Sequence, residues 1–333
     1  MALNAEWIQL DPGQKIAPRR SGHASFGRLD YHYIFGGYAE EESVDGGVNR
    51  YVTNDLWRWR DGSWQAVQHS GDSSSTVPRP RLVAASAIVK EKAYVFGGWD
   101  PGKEKTGGEI LETVEELDLS TNKWKQLDEL LPDGPSSRHV AVTFGDKVLI
   151  HNHRCEGFVW IFDPVSGRFA KQETSGPCPS SRGLHAACLV GENMVVLFGG
   201  AAKDQTMSNE VFVLSTDGWE WRRIAQDAGF GPSPRAAPSI CAYDEECIVV
   251  FGGAEATNSG LNPRGDAWAL HLEDERWELL LDDDGDDDRR PAPRNAASLA
   301  LIKTSDSGKD FLLTGGWHPF VRTHDDCFVL RIS

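Results

Sequence analysis

The sequence predicts an all-β protein built from six similar four-stranded units closed into a ring. Three observations predict it. Short apolar stretches end in a glycine pair at "YHYIFGG", "KAYVFGG", "MVVLFGG", "CIVVFGG" and "DFLLTGG", spaced at the roughly 50-residue period of large β repeats. An Arg, often after Pro or Ser, stands upstream of every such stretch. Downstream, a second strand is followed in four units by an aromatic at one fixed offset: Asp118 to Trp124, Asp163 to Phe169, Ser215 to Trp221 and His271 to Trp277.

Each unit reads as strands a to d, punctuated by Gly, Pro, Asp and Asn turns. Strands a and b form a hairpin, and b ends at the glycines, where units pack closely or the backbone needs a positive φ. Strand c follows a variable loop. Strand d carries the aromatic that fills the gap between units. Unit one contains Arg20, Gly36–Gly37, "NDLWRWR" and Trp64, and unit two Arg81, Gly97–Gly98, "VEELDLS" and Trp124. Unit three departs from the pattern: it has Arg138, "FVWIFDP" and Phe169, but "DKVLIHNHR" places His151 and Asn152 in the glycine slots. Units four and five are regular, with Arg182, Gly199–Gly200 and Trp221, then Arg235, Gly252–Gly253 and Trp277. Unit six has Arg294, Gly315–Gly316 and strand c "DCFVLRI", then stops at Ser333 without strand d. The N-terminal "EWIQL" supplies the missing strand, with Trp7 in the aromatic slot. The expectation is one domain, residues 1–333, whose sixth unit is shared by residues 5–10 and 294–333. This arrangement removes exposed sheet edges.

Composition narrows the function classes. A formal charge of −16 repels phosphate backbones and anionic lipid, which argues against nucleic acid or a membrane surface as general partners. No apolar run is long enough to cross a bilayer, and the N-terminus lacks the pattern of a secretory signal. Cys155, Cys178, Cys188, Cys241, Cys247 and Cys327 form no CxxC pair, so reduced thiols in a cytoplasmic monomer are expected.

The glycine pairs, blade-start arginines and closing aromatics together resemble the kelch family of β-propellers, over nearly the whole chain. The resemblance implies a six-bladed propeller, with function on the face formed by the b–c and d–a loops. It implies a binding module for a protein or peptide. The alternative is a small-molecule enzyme, a specifier-like lyase or an isomerase, at the channel mouth. The overall layout is similar to the plant specifier proteins. Their iron triad, Glu-x3-Asp-x3-His in the fifth b–c loop, does not carry over: Glu255 is followed four residues on by Ser259, and that loop has no His. No cofactor or metal is expected.

Three groups are candidates for binding. The arginines Arg20, Arg81, Arg138, Arg182, Arg235 and Arg294 form either an anion-binding rim or ties to backbone carbonyls between blades. In the third unit, His151, His153, Arg154 and Cys155 are either an acid–base or metal cluster or a divergent blade. Tyr38, Trp99, Trp317, His318 and Phe320 follow the glycines and form either a contact patch or loop packing. The binding set expected on the mouth face is Tyr38, Trp99, Arg138, His153, Arg154, Arg182, Trp317 and His318. "LDDDGDDDRR" at 281–290 lacks the order of a calcium loop and reads as a solvated turn. The acidic, Gly-rich first b–c loop is expected to be mobile.

Overall fold

The structure is a computed structural model that describes residues 3–10, 18–43, 45–70, 75–102, 107–225, 230–283, 289–319 and 321–333. Phe320 and residues 284–288 of the acidic turn lie outside the described residues. Regular structure among the described residues is entirely β, and no helix is long and apolar enough to cross a membrane.

Six antiparallel sheets follow one another as blades, each of four strands, with the short Arg20–Ser21 strand as a fifth in the first. Their strands a to d are Ala24–Arg28, Tyr31–Glu42, Val48–Arg60 and Ser63–Val67 in blade 1, and Ala85–Val89, Lys92–Phe96, Val114–Asp118 and Lys123–Gln126 in blade 2. Blade 3 has Val140–Phe144, Lys147–His151, Phe158–Asp163 and Arg168–Glu173, and blade 4 has Ala186–Val190, Met194–Phe198, Val211–Ser215 and Glu220–Arg223. Blade 5 has Ser239–Ala242, Cys247–Phe251, Ala267–His271 and Arg276–Leu281. Blade 6 has Ser298–Ser305, Gly308–Thr314 and Cys327–Ile332, with Ala5–Gln9 as its strand d. The chain is a six-bladed β-propeller.

Strand b reads as a continuous apolar run because both of its faces are covered by neighbouring blades; Tyr94, Val95 and Phe96 are all fully buried. Six hydrophobic clusters fill the six interfaces between blades. One rule recurs in them: the closing aromatic of strand d packs on the last residue of strand b in the preceding blade. Ring centroids lie 4.7 Å apart for Trp124 on Phe35, 6.3 Å for Phe169 on Phe96, 5.7 Å for Trp277 on Phe198 and 5.1 Å for Trp7 on Phe251. In the 3–4 interface, His151 takes the phenylalanine's place beneath Trp221, at 5.9 Å. At the 6–1 interface, Trp64 is fully buried and donates its indole N–H to Cys327 Sγ at 3.2 Å.

The ring closes through blade 6. Ala5–Gln9 pairs antiparallel with Cys327–Ile332 and sets Trp7 opposite Leu330. The same register sets Trp124 opposite Leu117, Trp221 opposite Leu214 and Trp277 opposite Leu270. Trp7 is nonetheless only partly buried, whereas Trp124 is 1% exposed and Trp221 2%. The first b–c loop differs from its expected mobility. Strands b and c of blade 1, 12 and 13 residues long, run on past the sheet and pair from Tyr38–Val52 out to Glu42–Val48, making a paired arm.

Because Trp7 is half covered, Trp7→Ala should lower stability by about 2–3 kcal/mol, below the roughly 3–5 kcal/mol expected at the fully enclosed Trp64. Deleting residues 1–12 should cost more than Trp7→Ala, since it also bares a strand edge. Denaturant melts of the three variants check the order; a deletion as stable as the parent would refute closure through blade 6.

Candidate functional site

Antiparallel pairing puts the start of each strand a, the end of each strand b and the loops b–c and d–a on one face. At its centre, six backbone amides form a closed ring. Val83 N–H donates to Gly22 C=O (2.6 Å), Arg138 to Val83 (2.8 Å), Leu184 to Arg138 (2.9 Å), Ala237 to Leu184 (2.7 Å), Ala296 to Ala237 (3.0 Å) and Gly22 to Ala296 (3.0 Å). All six residues are left-handed, with φ between 48° and 60°. Each blade contributes one member and bonds both neighbours, so the mouth of the channel is framed by the side chains of Val83, Arg138 and Leu184.

Two residues before each ring member lies the arginine slot. Arg20, Arg81, Arg182, Arg235 and Arg294 are each 3% exposed or less. Each donates to the carbonyl of the first glycine of its own blade at 3.0–3.2 Å and to an acid at the start of strand c. The acids are Asp55 (2.9 Å), Glu115 (2.9 Å), Glu210 (2.7 Å), Asp266 (2.6 Å) and Asp326 (2.9 Å). Burial alone would raise the Asp266 and Asp326 carboxyls, but bonds and charge from Arg235 and Arg294 hold both below the usual range. The amide of the second glycine bonds the arginine carbonyl of the next blade, as in Gly37 to Arg81 at 2.8 Å and Gly253 to Arg294 at 3.0 Å. No side chain fits at this join: a Cβ on Gly97 would sit 2.2 Å from Ser136 O. These arginines, Arg182 included, are buried struts rather than a rim.

Register corrects two assignments in blade 3. Strand a starts four residues after Arg81, and the equivalent residue before Val140 is Ser136. Arg138 is therefore a ring member, exposed at the mouth, and not a strut. Likewise His151 aligns with Phe96 in the pairing of strands a and b, so Asn152 and His153 fill the glycine slots. The acid slot is also lost: Phe158 stands there. Blade 3 has thus replaced strut, glycines and acid together.

Histidines occupy the gap. His151 Nδ1 and His185 Nε2 share a hydrogen bond at 3.1 Å. His139 and Ser136 are buried nearby, with His139 Nδ1 and Nε2, Ser136 Oγ, His151 Nε2 and His185 Nδ1 unpaired. Burial drives their basicity down: His139 falls to about 4, and His151 to about 3, helped by Arg182. His185 lies well below the usual value, through burial and then the nearness of His151. The group faces His153, Arg154 and Arg182 and no carboxylate capable of neutralising it, so it is held uncharged.

The remaining candidates come together at equivalent positions. Tyr38, Trp99, Arg154 and Trp317 each directly follow the glycine slots of blades 1, 2, 3 and 6, with Ala201 and Ala254 in blades 4 and 5. Trp99 exchanges backbone hydrogen bonds with Leu82 (2.9 and 3.0 Å) and Trp317 with Asn295 (2.8 and 3.0 Å); Tyr38 pairs with Ser21. Aromatic anchors thus span three consecutive blades, 6, 1 and 2, and all three rings are part-exposed. Trp99 is backed by its hairpin, where a Cβ on Gly108 would lie 2.4 Å from the indole nitrogen. Tyr38 donates to Glu40, which also accepts from the Thr323 amide of blade 6 at 2.7 Å. Next in the circle stand the exposed Arg138, His153 and Arg154; the Arg154 guanidinium reaches only Pro135 O, at 3.2 Å. His318 sits beside Trp317, half-buried, its basicity lowered by burial and Arg322. The five acids were missed in the sequence although one stands at the start of strand c in "NDLW", "VEEL", "NEVF", "GDAW" and "DDCF" and none in "FVW". The ring was missed because it is made of backbone.

In the fifth b–c hairpin, Glu255 is engaged by Ser233 Oγ and by Arg264 at 3.3 Å. Among the described residues, no three His, Cys, Asp or Glu side chains are grouped to hold a metal.

Comparison with known proteins decides the family. A model of the KLHDC2/KLHL20/DRC7 kelch-repeats domain matches residues 2–200 and 151–333. The chain belongs to the kelch-repeat family. This kelch chain is 26% identical over 294 residues to Kelch domain-containing protein 2 of Bos taurus, covering 78% of the chain and 68% of that protein. It is 26% identical over 206 residues to Acyl-CoA-binding domain-containing protein 4 of Arabidopsis thaliana, covering 57% of the chain and 29% of that longer protein. Among solved structures, that of YjhT superposes with a TM-score of 0.71 at 17% identity, over 96% of this chain and 99% of that one, a likeness of fold.

Two outcomes follow for this kelch propeller. His23, His151 and His324 ionise at about 3 in the folded state, and His32 and His139 at about 4, against about 6.5 unfolded. Between those values the unfolded chain binds more protons, so stability falls as pH drops from about 6.5 toward 4. Thermal melts should show the decline before carboxylates protonate, and His151→Phe, which restores the residue of the other blades, should make it shallower; a flat profile down to about pH 4.5 would contradict it. Second, elemental analysis after chelator-free purification should find no stoichiometric iron; about one iron per chain would contradict the reading of the fifth loop.

Proposed function

We propose that this protein is a kelch binding module that takes a protein or peptide partner on the mouth face, acting as a cytoplasmic monomer. The observation that carries the reading is the arc of Trp317, Tyr38 and Trp99 at equivalent positions beside the amide ring, continued by Arg138, His153 and Arg154. Rigidly backed Trp, Tyr and Arg side chains are the usual energetic anchors of interfaces. Here the backbone of each aromatic is pinned by strand pairing while its ring stays partly open to solvent. The His318 imidazole, half-buried beside Trp317, extends the same patch. On the opposite face, the turns "RDGS", "STN", "PVSG" and "EDER" are short and polar, built to reverse the chain.

Trp99→Ala and Trp317→Ala should each weaken partner capture by about tenfold or more, the scale of a hot-spot anchor, with only a small change in melting temperature. Affinity capture of partners from a cell extract, followed by titration of the captured protein against both variants, measures it. Gly108→Ala, which displaces the Trp99 indole without removing it, should act in the same direction. If both Trp variants melt many degrees lower while capture of the folded fraction is unchanged, the rings are packing residues and the mouth loses its anchors.

A further inference from the structure

The arm of blade 1 has a free edge. Strand c runs Val48–Arg60, but strand d pairs only with Leu56–Arg60. Beyond that, Val48–Val52 pairs with strand b on one side alone, and among the described residues no strand lies on the other. Residues 45–51 are exposed throughout. The direction of the free groups follows from one hydrogen bond. At the tip of the hairpin Ser43 N–H donates to Gly47 C=O at 2.9 Å. In an antiparallel ladder, bonded and non-bonded pairs alternate, so Glu41–Asn49 and Ala39–Tyr51 bond across the hairpin, and the N–H and C=O of Val48, Arg50 and Val52 point outward, where among the described residues no strand meets them.

Natural sheets blunt such edges with lysine, proline or a bulge. This one carries none of them between Val48 and Val52 and instead exposes Val48 (49%) and Tyr51 (39%). The arm is also strongly acidic. Glu40, Glu41, Glu42 and Asp45 stand against the single Arg50, and Arg50 is already bound to Glu40 at 3.2 Å. Glu41 accepts from the Tyr51 hydroxyl at 2.7 Å, which places a carboxylate beside the free edge.

We infer that the arm's outer edge, Val48–Val52, is a strand-addition site for an extended, basic segment of a partner polypeptide. Backbone pairing with Val48, Arg50 and Val52 supplies the register, apolar side chains on one face of the added strand cover Val48 and Val52, and Lys or Arg side chains answer Glu41, Glu42 and Asp45. A second copy of this chain does not fit the same edge, since it would bring two acidic arms and two chains of charge −16 together. Tyr38 of the aromatic arc lies opposite Val52 at the base of this edge, but Trp99 and Trp317 lie in other blades, so the two readings fail separately.

The test uses the full chain and a labelled ten-residue peptide alternating Lys with Val and Thr, followed by fluorescence anisotropy. Binding is expected, weakened by salt, with slowed hydrogen exchange at the Arg50 and Val52 amides. The Glu-for-Lys peptide should bind about tenfold more weakly or worse. Arg50→Pro removes an outward N–H, a position where strands tolerate proline, and should abolish binding, while Arg50→Gln retains it. The Lys peptide N-methylated at alternate residues on its pairing edge, which leaves the protein untouched, should also fail to bind. Trp99→Ala should leave this peptide's affinity unchanged. No binding at about 1 mM peptide, equal binding by the Glu peptide, or binding that survives both Arg50→Pro and N-methylation would overturn the proposal.

Discussion

Six peptide groups, one per blade, hold the propeller's axis. Each ring member both donates to one neighbour and accepts from the other, so no blade can shift along or around the axis without stretching two bonds at 2.6–3.0 Å. The geometry demands a left-handed residue at every member, yet only Gly22 is a glycine. Val83, Arg138, Leu184, Ala237 and Ala296 each bear a conformational cost of about 1–2 kcal/mol. Such strain persists only where the surroundings over-determine the backbone. The surroundings are the residue two before, whose carbonyl is tied to the preceding blade and which, in every blade but the third, is an arginine with its guanidinium tied to its own blade. The ring, the struts and the glycine pairs are therefore one device, and the mouth face inherits its rigidity from it.

Blade 3 shows what holds when that device is edited. Ser136, Asn152–His153 and Phe158 have replaced strut, glycines and acid, yet Arg138 still closes the amide ring on both sides. A strut without its acid would leave a buried charge unpaired, and an acid without its strut likewise, so the parts depart together. Histidines replace them with a neutral arrangement, His151 serving both as the surface under Trp221 and as partner to His185. With the acid slot lost, Arg138 and Arg154 have no carboxylate bound to them among the described residues.

The fold was legible because its determinants are side chains at fixed offsets. The glycine pairs mark where blades touch, and "EWIQL" carries the closing aromatic of a strand d, the role Trp7 takes opposite Leu330. The site was legible in part. Tyr38, Trp99, Arg154 and Trp317 could be named because they follow the glycines, but their shared circle depends on strand pairing between segments far apart in sequence. Arg138 was misplaced because "SSRH" looks like "SPRA"; counting back from strand a, rather than matching letters, separates them. The first b–c segment looked like a loop because it is polar and rich in Glu. Its Asp45-Gly46-Gly47 run, between the Glu-rich stretch and Val-Asn-Arg-Tyr-Val, is a hairpin signature, outweighed in the reading by composition.

The clasp of blade 6 has a mechanical consequence. Asn4 and Ser333 exchange backbone hydrogen bonds at 2.9 Å in both directions, and Ala5 lies opposite Ile332. The outer ends of these two strands therefore lie at the same corner of the sheet. Tension applied between them meets the ladder one rung at a time, as a zipper is opened, rather than loading every rung at once in shear. The seam resists heat and solvent through its packing against Phe251 and Phe328 but yields readily to a pull on its own ends, while the same force applied across any other blade would have to slide strands past one another.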